Sequence, residues 1–192
     1  MKIYLLRHTS LDIEPDIFYG QTDIDVSLFF KKEVSVIKEK LMNEKVDYKK
    51  IKVFSSPLKR CTKLASQIQE KYTIDNRLKE MNLGDWEMKR MDSIPDDDKL
   101  EWEENLLTYK IPNGESNEEF LARLGGFLDE ILKKDEDILI VAHAGSINGM
   151  VSKLTNEPFD KLVKNYWEKI TYGSLSLIEV NDGLAIQRFI GK

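Results

Sequence analysis

Two histidines are all this chain has, His8 and His143, and each stands immediately after a short apolar run. Residues 2–7 (KIYLLR) and 138–142 (ILIVA) read as buried strands, the second being the strongest such signal in the sequence. In open α/β sheets, ligands bind at the carboxyl ends of parallel strands. If these two strands are parallel neighbours, both imidazoles reach one sheet edge; the plainer alternative is a pair of unrelated surface histidines. Arg7 directly precedes His8. Arg60 follows a further strand at 51–55 (IKVFS) and sits about one turn into a helix. There Ser56 is the expected N-cap and Pro57 the expected first helical residue. A guanidinium presents a planar fork of donors that fits phosphate oxygens, and a helix N-terminus adds positive potential. The chemistry these residue types could do together is the handling of a phosphate group, held in a cradle of arginines beside two imidazoles.

The elements that must position them alternate strand and helix. After His8 a polar loop runs to about Ser27, punctuated by Pro15 and Gly20. Leu28 to Met42 has helical periodicity, with Phe29, Phe30, Val34, Ile37 and Leu41 near one face. In the helix after Pro57, Cys61, Leu64, Ala65 and Ile68 form an apolar stripe. Cys61, the single cysteine, is expected to be a core residue. From about 75 to 115 the character changes to short helices and loops, as in an inserted cap. The acidic run Asp96–Asp98 is expected to be a solvated turn at a helix N-terminus rather than a metal site. Ser116, with Glu119 three residues on, is a capping box. It opens a helix to about Lys133 that buries Phe120, Leu121, Leu124, Phe127, Leu128 and Ile131. A helix from about Ser146 to Leu154 and another near 159–167 follow. Two strands, about 174–180 and 184–190, flank Asn181-Asp182-Gly183, a hairpin signal. The pattern predicts a three-layer α/β/α domain on a mostly parallel sheet with a small helical insert: one domain over 1–192, with the cap at about 75–115.

Composition narrows the partners. The 192 residues are 41% hydrophobic and 33% charged, an ordinary globular balance, with a formal net charge of −5. That charge gives no reason to expect nucleic acid or an anionic membrane, so a site for an anion must be local. One cysteine excludes an intrachain disulfide framework and a cysteine-cluster metal site. No run approaches the length of a membrane helix, and the apolar stretch Ile3–Leu6 is too short for a signal peptide. The expected setting is the cytoplasm, with monomer and homodimer both open.

The motif LLRHTS resembles the signature of the histidine phosphatase, or phosphoglycerate mutase-like, superfamily. YGQTD at 19–23, FSSPLKRCTKLA at 54–65, RLKEMNLGDWE at 77–87, GES at 114–116 and VAHAGSI at 141–147 follow in the family's order. The chain looks closest to the alpha-ribazole phosphatase branch, on RHT in place of RHG, YGQTD, LKEMNLGDWE and compact length. The resemblance implies that His8 is the histidine that becomes phosphorylated. It implies that Arg7 and Arg60 hold the transferred group, that His143 contacts it as an imidazolium, and that Glu80 is the proton donor. It further implies work on a small phosphorylated metabolite without metal or organic cofactor. Gln21 and Thr22 are expected to line the phosphate pocket, Ser116 to offer a pocket-facing N–H, and Glu115 to position it. Ala144, where the family usually has glycine, must find a conformation open to a methyl group. Trp86 and Trp102 could stack on an aromatic leaving group; lid core is the commoner use of such residues. Alternatives are a sugar-phosphate or phosphoglycerate phosphatase, a mutase, or a non-catalytic phosphate-binding module.

Overall fold

The computed structural model describes residues 1–48, 50–166 and 168–192. Six strands form one sheet: β1 (Lys2–Arg7), β2 (Lys52–Ser55), β3 (Thr73–Ile74), β4 (Ile138–Ala142), β5 (Leu175–Asn181) and β6 (Leu184–Phe189). Their spatial order is β3-β2-β4-β1-β5-β6. β1 to β4 are mutually parallel, and β5 and β6 add antiparallel pairings at one side. The helices are α1 (Phe30–Asn43), α2 (Lys59–Ile68), α3 (Asp96–Glu104), α4 (Asn117–Leu132), α5 (Ala144–Thr155) and α6 (Phe159–Tyr166).

Alternation along the central strands makes the three layers. Tyr4, Leu6, Leu139 and Val141 pack with Val34, Ile37, Leu41, Cys61 and Leu64 of α1 and α2. Ile3, Leu5, Ile138 and Ile140 point the other way, onto Phe120, Leu124, Phe127, Ile147 and Met150 of α4 and α5. A strand buried on both faces has to be apolar throughout, which is why ILIVA was so legible. The β5–β6 turn holds Asp182 and Gly183 at φ 50° and 78°. Both are left-handed, as a two-residue type I′ hairpin requires.

The parallel register sets the site. Arg7 pairs with Ala142, and Ser55 with Val141. The chain leaving β1, β2 and β4 therefore emerges at one edge, carrying His8, Ser56 and His143. The His8 N–H still reaches the Ala142 carbonyl at 3.1 Å, and the Ser56 N–H reaches that of Val141 at 3.0 Å.

Several expectations need correction. α2 begins at Lys59, not Pro57, and Ser56 does not cap it. Ser56 instead prolongs the β2 ladder, and its hydroxyl is taken by His143. The cap comes from another segment: Asp23 Oδ1 accepts the Lys59 N–H at 2.7 Å. α1 begins at Phe30, and Phe29 is 67% exposed rather than on the buried face. α5 begins at Ala144, so this residue is right-handed and its methyl meets no backbone strain. The last residue of the expected 159–167 helix lies outside the described residues. β3, two residues long, has no sequence signal. Elsewhere the reading holds. Asp96–Asp98 form the first turn of α3. Ser116 and Glu119 make a complete reciprocal capping box. Trp86 is 4% exposed and meets Trp102 edge-on at 6.1 Å, which places it in the core of the segment between β3 and α4.

Candidate active site

His8 is buried, and its Nδ1 lies 2.8 Å from the Thr9 carbonyl oxygen. A carbonyl only accepts, so Nδ1 carries the hydrogen and Nε2 keeps its lone pair. Burial, then the Arg7 and Arg60 charges, hold this imidazole well below the usual histidine range. The resting side chain is a neutral imidazole with its far nitrogen unprotonated, the form a nucleophile needs.

His143 stands beside it, with ring centroids 5.2 Å apart in an edge geometry. Arg60 Nε donates to His143 Nδ1 at 3.1 Å. A guanidinium cannot accept, so Nδ1 is unprotonated, and Nε2–H faces the Ser56 hydroxyl at 2.8 Å. Burial and the Arg60 charge push His143 well below the ordinary range as well. The expected imidazolium is therefore corrected for the resting protein: His143 is neutral, a donor through Nε2 alone. Cys61 Sγ lies 3.5 Å from this Nε2, fully buried, with burial raising its thiol pKa. It packs the histidine and is not a nucleophile.

Arg60 is wholly buried and heavily committed. Its terminal nitrogens donate to the carbonyls of Thr22 at 2.7 Å and Gly20 at 2.6 Å. The YGQTD loop is thus folded around the arginine, and Asp23 goes on to cap α2. The loop is clasped from its other side by Glu87, a residue that sequence reasoning quoted only as a motif's last letter. Its carboxylate accepts the N–H groups of Gln21 at 2.8 Å and Thr22 at 2.7 Å, and the Thr22 hydroxyl. Gly20 sits at φ +35°, where a Cβ would come within 2.5 Å of the Glu87 carboxylate. Gln21 spends its side-chain amide on the Glu80 carbonyl at 3.0 Å. In the resting protein Gln21 and Thr22 bind the loop to its neighbours.

Glu80 arrives from the segment after β3. One carboxylate oxygen accepts the Gly145 N–H at 2.9 Å, two residues beyond His143. The backbone carrying Glu80 is fastened by Arg123 of α4, which donates to the carbonyls of Arg77, Lys79 and Glu80 at 2.7–2.8 Å. Arg123 is in turn paired with Glu115 at 2.8 Å. Glu115 therefore acts on the Glu80 loop, through Arg123 and through the Asn82 N–H, and not on Ser116. Ser116 is spent on its capping box. Arg7 completes the edge: it donates to the Ile170 carbonyl at 2.6 Å and lies 4.1 Å from the Tyr172 ring centroid. The stretch before β5 carried no chemical signal in the sequence. Among the described residues there is no cluster of three or more His, Cys, Asp or Glu side chains placed to hold a metal. Nor, among them, is any helix long and apolar enough to cross a membrane.

Two buried neutral histidines make stability depend on pH. Their ordinary pKa, near 6.5, returns on unfolding, whereas in the fold both lie well below it. Between those limits the unfolded chain binds more protons, so stability falls as pH drops below about 6.5, by up to about 2.7 kcal/mol per pH unit for two sites. Above about pH 7.5 both are neutral in either state and contribute no slope. Urea midpoints measured from pH 8 to 5 should show this loss before most carboxylates titrate. The H8N/H143N protein should lose most of the slope; an unchanged slope there would refute the assignment.

A buried neutral imidazole flanked by arginines at the carboxyl edge of a parallel sheet fits a phosphomonoesterase. The chain belongs to the histidine phosphatase superfamily (branch 1), whose family model matches residues 3–189. It is 31% identical over 170 residues to a candidate phosphoserine phosphatase, number 2, of Hydrogenobacter thermophilus, covering 84% of this chain and 82% of that protein. The fold is similar to a candidate alpha-ribazole-5'-P phosphatase from Escherichia coli, with TM-score 0.86 and 22% identity over 100% of this chain and 96% of that one. It is similar also to the alpha-ribazole phosphatase from Shigella flexneri, with TM-score 0.83 and 23% identity at the same coverage.

Proposed function

We propose that this protein hydrolyses a small phosphate monoester through a phosphohistidine on His8, with alpha-ribazole 5'-phosphate as the substrate. The observation that carries the chemistry is the Nδ1–H of His8 locked onto the Thr9 carbonyl, which leaves Nε2 unprotonated, with His143 beside the ring and the Arg7 and Arg60 charges acting on it. Nε2 attacks phosphorus: the N–P bond forms as the P–O bond to the alcohol breaks. Arg7 and Arg60 stabilise the charge on the equatorial oxygens, joined by the His143 Nε2–H once it exchanges the Ser56 hydroxyl for the anion, and the Ala144 N–H in the first turn of α5 is left for the same anion. Glu80 acts as the general acid, passing a proton to the leaving alkoxide. The resulting carboxylate then takes a proton from the water that cleaves the N–P bond.

The branch assignment rests on RHT, YGQTD and LKEMNLGDWE. Trp86 and Trp102 lend it no support, since they pack on each other and Trp86 also on Tyr109. A second reading, phosphoserine phosphatase, is favoured by the relative at 31% identity. A cytoplasmic metabolite suits either. Second-order rate constants on alpha-ribazole 5'-phosphate, phosphoserine, phosphoglycerates and sugar phosphates decide between them. A strong preference for phosphoserine or a phosphoglycerate overturns the first assignment.

Glu80 can be tested without touching it. A Cβ on residue 145 would stand 2.5 Å from Glu80 Oε1, so Gly145→Ala must push the carboxylate off its N–H. Turnover of an alkyl phosphate should fall about 100-fold, the lower end of what a general acid contributes, while an aryl phosphate with a good leaving group loses far less. Equal losses on both esters would remove Glu80 from the proton-donor role.

A further inference from the structure

Arg7 and Arg60 come from different elements, yet each is covered by a tyrosine. The Arg7 guanidinium carbon lies 4.1 Å from the Tyr172 ring centroid, and that of Arg60 lies 5.2 Å from the Tyr19 ring centroid. The two phenol oxygens are 3.2 Å apart, within hydrogen-bond distance. Tyr172 also touches the nucleophile, its ring centroid 5.5 Å from that of His8. The chain Arg7–Tyr172–Tyr19–Arg60 therefore spans the phosphate cradle from one guanidinium to the other.

We infer that Tyr19 and Tyr172 form a hydrogen-bonded aromatic bracket that sets the separation of Arg7 and Arg60, and so are positioning residues for the phosphate site. A rigid frame is needed because phosphate charge is recognised by donors whose spacing is fixed beforehand. Arg60 has such a frame in the Gly20 and Thr22 carbonyls. Arg7 donates to the Ile170 carbonyl and hydrogen-bonds the Tyr19 phenol, and its Nε is buried without a partner, an arrangement that an incoming acceptor relieves. The bracket supplies the missing constraint by tying the weakly held arginine to the firmly held one. Burial keeps the Tyr19 phenol protonated well above its ordinary range, so the link remains a neutral hydrogen bond at working pH. The segment between α6 and β5 thereby gains a reason to reach the site at all.

This inference rests on the proposed phosphate chemistry, and the test separates the two. The variants are Tyr19→Phe, Tyr172→Phe and the double substitution, which keep both rings; Tyr172→Phe removes the bond between the phenols, and Tyr19→Phe removes it together with the bond from Tyr19 to Arg7. Binding of inorganic phosphate is followed by calorimetry, and turnover of an aryl phosphate is followed with KM and kcat resolved. Each single variant should weaken phosphate binding and raise KM by about fivefold, the scale of one hydrogen bond, or more, with a much smaller change in kcat. The double variant should be no worse than Tyr19→Phe alone, because that single variant already loses both the bond between the phenols and the bond to Arg7. Melting temperature should stay within experimental error of the parent. Unchanged phosphate affinity in both singles overturns the bracket, and so does a double variant whose losses multiply. A parent protein with no turnover, but with phosphate affinity that falls in the tyrosine variants, sinks the hydrolase reading and keeps the bracket. Full turnover and affinity in every variant sinks the bracket and keeps the hydrolase.

Discussion

His8→Ala protein should fold, bind inorganic phosphate and turn over no phosphate ester at a measurable rate. The side chain gives up one local hydrogen bond, to Thr9, and its neighbours His143 and Tyr172 belong to elements held elsewhere. On the proposed route, catalysis loses the imidazole whose Nε2 lone pair would attack phosphorus. Arg60 retains its charge and its two carbonyl partners in the variant, so the anion site survives without its acceptor. Loss of a covalent nucleophile from a preassembled site costs on the order of 10⁴-fold or more, with the remainder supplied by binding alone. The assay is turnover of a chromogenic aryl phosphate in the presence of a chelator, paired with rapid quench of the parent protein. A phosphoenzyme that is labile in acid and stable in alkali is the signature of an N–P bond. Normal turnover by His8→Ala, or an acid-stable phosphoenzyme, would rule out the phosphohistidine route.

How much of this site could be read beforehand follows from what kind of signal each part leaves. β4 announces itself because a strand buried on both faces has to be apolar at every position, and the histidine after it inherits that certainty. The capping box of α4 is equally plain, since Ser116 and Glu119 satisfy each other within four residues of chain. Signals fail where the partner is distant. Ser56 looked like an N-cap because serine before a helix usually is one. No local rule could show that β4 places His143 beside its hydroxyl, or that Asp23 would cap α2 instead. Glu87 and Arg123 left no mark as site residues for the same reason. Each acts by holding another segment's backbone, 65 residues away for Glu87 and Thr22, and 43 for Arg123 and Glu80. Tyr172 was overlooked because a tyrosine before an edge strand needs no functional explanation. The family resemblance points to Arg7, His8, Arg60, Glu80 and His143 and passes over the residues that hold them in place.

The acidic net charge ceases to be a puzzle at this scale. The potential His8 feels is set by two guanidinium groups inside the fold, not by the sum over the surface. Surface charges are screened within roughly 8–10 Å at physiological salt, whereas Arg60 is fully buried. Burial, and then the same field, hold both imidazoles neutral, so the charges that would meet an anion also favour the neutral form of His8.

That double duty gives the second large effect, at Arg60. Substituting lysine retains the charge but not the fork. One ammonium cannot reach His143 Nδ1, the Gly20 carbonyl and the Thr22 carbonyl together, as Arg60 does at 3.1, 2.6 and 2.7 Å. Orphaned buried acceptors cost about 1–3 kcal/mol each, so Arg60→Lys should lose at least that much stability. Loss of a preorganised donor to the transferring group should lower kcat/KM about 10²- to 10³-fold. Arg60→Met removes the charge too, and here the two variants part. The Arg60 charge lowers the pKa of both histidines. Without it the His8 pKa moves up towards 6.5, and a nucleophile that must be neutral is protonated over more of the acid range. The acid limb of kcat/KM should therefore shift to higher pH in Arg60→Met and stay near the parent's position in Arg60→Lys, although both are slow. Residual activity measured from pH 4.5 to 8 reads that difference directly. An acid limb that does not move in Arg60→Met would mean that burial alone holds His8 neutral, and Arg60 would keep its binding role without the electrostatic one.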